Sequence, residues 1–503
     1  MSQSRPYEHP YPTDAGVATD RLRRSLAVAA VATLAACGSL GAHALERDAA
    51  QSTPDAQPSI PQLREMARQG DPSAQYVLGA HYLAGRRVPV DKPKALYWIR
   101  RAAKQDLAIA QEMLGAMYDH GNGVQSDDAE AAHWYRLAAE QGRPKAQFRL
   151  GTLYKEALGV AQDEAIALDL YRRAAEQGLA PAQLELGLHF RSPGEDQDHS
   201  EAVKWFRLAA DQGMAPALFN LGLAYALGQG VNQDDVEAAN WYRMAAERGI
   251  APAQNNLGAM YKHGQGVPQD LGEAAKWYRM AAEQGNMVGQ YNFAVAVGYG
   301  RGVPRDLEQA RQWYRLSAEQ GFADAQNNLG AFYLRGVGME ADFDEALKWY
   351  RQAAAQGHPR ALHSLGYMYR TGRGVERDHA EAVEWYRKAA ERGLAVAQLW
   401  LGLMHQYGQG VPQDHGEAAA WYRLAAEQGH AAGQHNLGLL YAKGTGVPQD
   451  LAEAYKWFSL AVSRVNEELR TDAIEIRDKT AEGMSPGELD EGRRRAREWE
   501  RDH

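Results

Sequence analysis

A 36-residue unit recurs down most of this chain, and that period limits the fold more than anything else in the sequence. Residues 253–285, AQNNLGAMYKHGQGVPQDLGEAAKWYRMAAEQG, are one unit less its three-residue joint. A period of this size marks a stacked array, in which each unit covers the apolar face of the next. Such an array grows by addition, so 503 residues need no single large core.

The unit reads as two helices. Ala253, Leu257, Gly258 and Tyr261 recur at helical spacing and form one face of a first helix, A. Gly264 and Gly266 end it, because glycine accepts positive φ where the chain turns. Asp270 is placed as the N-cap of a second helix, B, with Glu273 three residues on as in a capping box. Ala274, Trp277, Tyr278, Ala281 and Ala282 form the apolar stripe of helix B, and Gly285 stops it.

Eleven copies can be counted. The helix A glycine falls at Gly79, Gly115, Gly151, Gly187, Gly222, Gly258, Gly330, Gly366, Gly402 and Gly438, with Ala294 standing in once. The helix B tryptophan follows at Trp98, Trp134, Trp205, Trp241, Trp277, Trp313, Trp349, Trp385, Trp421 and Trp457, and the third copy has Leu170 instead. This column is read as core. Arginines two residues later, such as Arg136, Arg243, Arg279 and Arg423, are placed to pair with Glu140, Glu247, Glu283 and Glu427 on an exposed face. Copy four is one residue short and its loop, residues 191–196, has lost the G-x-G-V pattern. A change of curvature dividing the array is therefore expected near residues 160–200.

The pattern A-x-x-x-L-G-x-x-Y, G-x-G-V, D, A-x-x-W-Y-x-x-A-A-x-x-G resembles the Sel1-like repeat, a relative of the tetratricopeptide repeat. The resemblance implies an all-α, right-handed solenoid of antiparallel helix pairs that acts as a scaffold or adaptor for other proteins, often in bacterial envelopes. It also implies that helix A lines a concave surface. Two residues before the helix A glycine, or before Ala294, stand Asn220, Asn256, Asn292, Asn328 and Asn436. An asparagine offers both a donor and an acceptor, so this ladder is the candidate contact for the backbone of a partner peptide. Packing against a neighbouring helix is the competing reading. Trp400 takes the same place in copy ten, and the column one residue earlier mixes Tyr76, Phe148, Phe219 and Tyr291 with polar residues.

The ends differ from the repeats. Arg21, Arg23 and Arg24 precede an uncharged run over residues 26–36, which reads as an export signal too short for a membrane span. Leu34-Ala35-Ala36-Cys37 resembles a lipobox, which would make Cys37, the only cysteine, a lipidated first residue. Ala42-His43-Ala44 competes as an ordinary cleavage site releasing a periplasmic protein. The resulting division is a signal region at 1–44, a polar linker at 45–60, a capping helix at 61–72, repeats at 73–463 and C-terminal capping helices at 464–503. Ser485, Pro486 and Glu488 start the last of these as N-cap, N1 proline and capping-box acid.

Catalysis finds no support. Each G-x-G follows a helix and leads into Val, often Pro, then Asp, so it is no dinucleotide fingerprint. The sixteen histidines form no H-E-x-x-H, no serine sits in G-x-S-x-G, and one cysteine cannot build a multi-thiolate site. Sel1-like proteins linked to β-lactam hydrolysis are cysteine-rich, and this chain departs from them. A net charge of −9 gives no basic footprint for nucleic acid. The expectation is a non-catalytic scaffold without cofactor or metal, exported to the periplasm or outer membrane of a Gram-negative bacterium and touching membrane only through a lipid on Cys37. A secreted regulator that binds a sensor or host protein is the alternative, and an envelope hydrolase the third reading. Partner and oligomeric state are not legible.

Overall fold

The computed structural model describes residues 58–194, 196–464 and 467–502. Among them are 25 helices and no strand, arranged as consecutive helix pairs of an all-α solenoid. Cys37 and both processing sites lie outside the described residues. The chain forms two compact units that divide between Ala281 and Ala282. The third and fourth copies, near which a division was expected, stack without interruption. The reason is local: Leu170 replaces the missing indole and is itself buried, while the short loop lets the helix Ala180–Arg191 end on an extended Ser192.

In the first unit, copy five shows how the pair is built. Helix A is Ala215–Leu227 and helix B is Asp235–Glu247. Asp234 caps helix B, its Oδ1 accepting from the amides of Val236 at 2.9 Å and Glu237 at 3.0 Å. Such a cap contributes about 1 kcal/mol. The acid three residues on does not complete the expected box in copies two and six. Glu273 pairs with Lys276 at 3.1 Å, and Glu130 accepts from the Trp134 indole at 3.1 Å. Gly228 closes helix A at φ +65°. Gly230, at φ +73°, brings the loop so near helix B of copy four that a Cβ would lie 2.1 Å from the His199 carbonyl oxygen.

The deepest aromatic is not the tryptophan. Tyr242, one residue after Trp241, is 1% exposed, and its ring fills the space left by Gly222, where a Cβ would lie 2.5 Å from it. The same glycine–ring contact recurs in both units, from Gly115 with Tyr135 to Gly438 with Phe458. Trp134, Trp277, Trp349 and Trp457 are buried, but Trp98, Trp205, Trp241, Trp313, Trp385 and Trp421 are only half-buried. One residue turns a helix by about 100°, which aims the tyrosine at helix A and leaves the indole at the edge.

The arginines of the Trp column also differ from expectation. Arg136, Arg243 and Arg423 each reach the next copy and donate to a helix A tyrosine hydroxyl: Tyr154 at 3.0 Å, Tyr261 at 3.2 Å and Tyr441 at 2.6 Å. Eighteen residues separate each pair, so the bond joins repeats rather than turns of one helix.

A buried glutamine ladder, unremarked in the sequence, adds a second joint. Four residues before the helix A glycine, Gln147 donates to the carbonyl of Ala139 at 3.2 Å, satisfying the end of the preceding helix B. Its Oε1 accepts from Gln177, thirty residues on, at 2.8 Å. Gln75 with Gln105, Gln183 with Gln212 and, in the second unit, Gln398 with Gln428 repeat the pairing. Copies five and nine replace both partners together, by Leu218 with Arg248 and Leu362 with Arg392. Gln147→Leu is expected to cost about 1–3 kcal/mol, because two hydrogen bonds worth about 1 kcal/mol each are lost, while Ala139 keeps the Gly142 amide and Gln177 keeps the Arg173 carbonyl. Adding Gln177→Arg should restore part of it, as seen in the urea midpoint, since Arg248 satisfies itself on the Met244 carbonyl at 2.8 Å.

The last described helix, Pro486–Asp502, packs on helix B of copy eleven, Leu451–Arg464. Arg495 bonds Asp450 at 2.9 Å, Glu453 at 3.1 Å and Glu491 at 2.8 Å, and Trp499 meets Trp457 edge-on at 6.4 Å. Ser485 and Glu488 form the expected reciprocal cap, at 2.8 and 3.3 Å.

Candidate partner-binding face

Two columns of helix A meet between neighbouring copies. The position two before the glycine, which carries the asparagines, faces the position four after the glycine of the preceding copy. In the first unit Arg149 Nε donates to Asp119 at 3.1 Å, and the Tyr135 hydroxyl donates to the same carboxylate at 3.0 Å. Lys155 pairs with Glu185 at 2.7 Å in the next joint. Arg191 donates to Asn220, whose amide donates onward to the Pro216 carbonyl at 2.8 Å. In the second unit the pair becomes Arg370 over the Trp400 ring, 3.9 Å from its centroid. That indole also stacks on Tyr386 at 6.2 Å and 13°. The partner column was missed because its members differ in chemistry from joint to joint. Only the constant offset of thirty or twenty-nine residues betrays it.

The five asparagines do not share one environment. Asn220 and Asn256 are buried, at 3% and 2% exposure, while Asn292, Asn328 and Asn436 are half-buried. Asn256 accepts from Asn255 at 3.3 Å, but its own amide nitrogen and the Tyr242 hydroxyl are both buried without a hydrogen-bond partner. Ala226 holds the facing position in that joint and offers no polar group. Burial pushes the hydroxyls of Tyr242, Tyr314 and Tyr422 above the usual phenol range. Asn328 beside Tyr314 and Asn436 beside Tyr422 pull the other way. The column therefore works first as a joint between copies, and its half-buried members keep an edge toward solvent.

The aromatic column one residue earlier packs within its own copy. Phe148 meets Tyr171 at 5.5 Å, Phe219 meets Tyr242 at 5.8 Å and Tyr291 meets Tyr314 at 5.8 Å, and Tyr76 is buried. His363 and His435 take the same place against Tyr386 and Phe458, at 5.4 and 5.6 Å. Burial, helped by the charge of Arg370, lowers the His363 pKa from 6.5 to about 4. Above pH 6.5 the imidazole is neutral whether folded or unfolded. Below it the unfolded chain gains a proton that the fold refuses, so stability falls from pH 6.5 toward 4 and levels beneath that. Burial lowers His430 and His435 in the same direction. His363→Phe should accordingly shrink the drop in urea midpoint between pH 7 and pH 5.

Among the described residues no group of three His, Cys, Asp or Glu is placed to hold a metal, and no helix is long and apolar enough to cross a membrane. Comparison with curated proteins gives no match. The chain is similar to a solved protective antigen present in uropathogenic Escherichia coli strains, described as having an SLR fold. The two share 36% identity over 88% of this chain and 94% of that one, with a TM-score of 0.79. A solved Sel1 repeat protein from Oxalobacter formigenes shares 35% identity over 61% of this chain and 90% of its own, with a TM-score of 0.50. Sel1 repeat proteins are generally scaffolds for protein–protein interaction. The model of the Sel1 repeat matches eleven times, from residues 72–107 through 251–286 to 431–465, in step with the helix pairs, and the chain belongs to the Sel1 repeat family.

Proposed function

We propose that this chain is a non-catalytic scaffold of a Gram-negative cell envelope that holds a partner protein or peptide on its helix A face. The observation that carries this reading is the half-buried edge of the asparagine column at Asn292, Asn328 and Asn436, repeated in step with a scaffold family's unit. Asn292 and Asn328 stand one repeat apart and Asn436 three repeats further on, with Ser364 and Trp400 in the column between them, and polar atoms spread along successive helices suit an extended main chain better than a compact small molecule. The address rests on the basic and apolar leader before Cys37.

The test is a crosslinking pull-down from native envelopes, repeated with Asn328→Ala and Asn436→Ala. Loss of a partner supports the face, and an unchanged partner set removes the column from the binding surface. Radiolabelled lipid incorporation that Cys37→Ala abolishes supports the anchored form. A soluble product cut after Ala44 supports the periplasmic one.

A further inference from the structure

A cleft of 460 Å³ in the second unit lies between helix B of copy eight, Phe343–Ala355, and helix B of copy nine, His379–Ala390. It shares no residue with the asparagine column. Ala354, Leu362 and Trp385 give it an apolar floor, and Ala355 lies at its rim. Arg351, Lys388 and Arg392 are the charged residues of its lining, which contains no carboxylate. Arg351 spends one donor on the Tyr369 hydroxyl at 3.2 Å, and Arg392 one on the Lys388 carbonyl at 3.0 Å. The Lys388 ammonium stands 4.4 Å from the centre of the Trp385 ring. A guanidinium has five donors, so both arginines retain several for a ligand.

Four departures from the repeat coincide here, and together they make the cleft cationic and partly apolar. Ala355 stands where Glu319 and Glu427 stand in other copies. Lys388 replaces an apolar residue such as Leu316 or Leu424. Leu362 and Arg392 replace the glutamine pair. Copy five carries the same exchange in Leu218 and Arg248, but keeps Asp211 in the place of Ala355 and Met244 in the place of Lys388. The joint of copies eight and nine thus loses an acid and gains a cation relative to its nearest sibling.

We infer that this cleft binds a carboxylate carried on an apolar stem, the carboxylate among Arg351, Lys388 and Arg392 and the stem against Trp385 and Leu362. Paired cationic donors suit a carboxylate, and the indole and leucine suit a side chain or alkyl segment. The C-terminus of a polypeptide and a fatty acid both have this chemistry.

Fluorescence anisotropy with a labelled octapeptide ending in a free leucine carboxylate tests the inference on the full chain, alongside the same peptide as its C-terminal amide and calorimetry with dodecanoate. The free acid or dodecanoate should bind saturably, and the one that does names the source. The amide should bind at least ten-fold more weakly than the acid. Lys388→Gln and Arg392→Gln should each weaken binding about ten-fold, as loss of a charge-assisted bond does. Both side chains are exposed, so these variants fold. Arg248→Gln should change nothing. Binding of neither probe, equal binding of acid and amide, or indifference to Arg392→Gln overturns the inference.

Discussion

Tyr422→Ala is expected to destabilise the second unit by about 3–5 kcal/mol, as removal of a fully buried aromatic side chain does. The ring is 0% exposed, lies over Gly402 where a Cβ would come within 2.6 Å, and its hydroxyl donates to Gln406 at 2.5 Å. The variant therefore leaves a cavity and also strips Gln406 of its donor. Urea unfolding followed by tryptophan fluorescence reads the change. Trp421→Ala should cost less, because its indole is only half-buried. If the tryptophan variant proves the more damaging, the placement of the two aromatics is wrong.

Gly222→Val is the second large effect, about 2–3 kcal/mol by overpacking. The Tyr242 ring it would strike, at 2.5 Å, is 1% exposed, and protein interiors are close-packed, so the ring yields only at a cost. Combining Gly222→Val with Tyr242→Ala should cost clearly less than the sum of the two, since the new side chain occupies the space the ring leaves. Copy seven already sets a limit. Ala294 stands in the glycine's place there, and both it and Tyr314 are buried, so a single methyl is accommodated when the copy is built around it. Gly222→Ala should accordingly be milder than Gly222→Val. The urea midpoint of each variant decides the order.

Much of this architecture was legible because its signals are local. Asp270 caps its helix as its spacing indicated, accepting from Gly272 and Glu273 at 2.8 and 3.0 Å. Gly264 closes helix A in the left-handed region at φ +69°. Periodicity placed both helices of every copy, since 3.6 residues per turn repeats within a dozen residues. The errors lie where geometry between copies decides. Arg136 had an acid available one turn on, yet it bonds Tyr154 in the next copy, a choice that no intrahelical rule contains. Trp and Tyr are adjacent in the sequence and equally apolar in pattern, and only the exact roll of helix B makes Tyr386 buried and Trp385 half-buried.

The candidate site was legible in one column and not in its complement. Asn220 stood out by recurrence, but its partner Arg191 belongs to a column that reads aspartate, lysine, arginine and alanine in successive copies. The glutamine ladder recurs as plainly as the asparagines. It passed unremarked because a buried glutamine has meaning only once the carbonyl it closes, such as that of Ala139, is known to lie eight residues back. The cationic cleft is harder still: Ala355, Leu362, Lys388 and Arg392 each look like an ordinary substitution until the fold brings them together.

The central claim is that each helix pair is closed internally by an aromatic ring seated over a glycine, and is held to its immediate neighbours by the glutamine and arginine bonds that cross between copies. Amide hydrogen exchange on the full chain carrying Gln147→Leu measures this most directly. Nearest-neighbour coupling predicts faster exchange in copies two to four and unchanged protection in copies eight to eleven. A uniform loss of protection along all the described helices would contradict it.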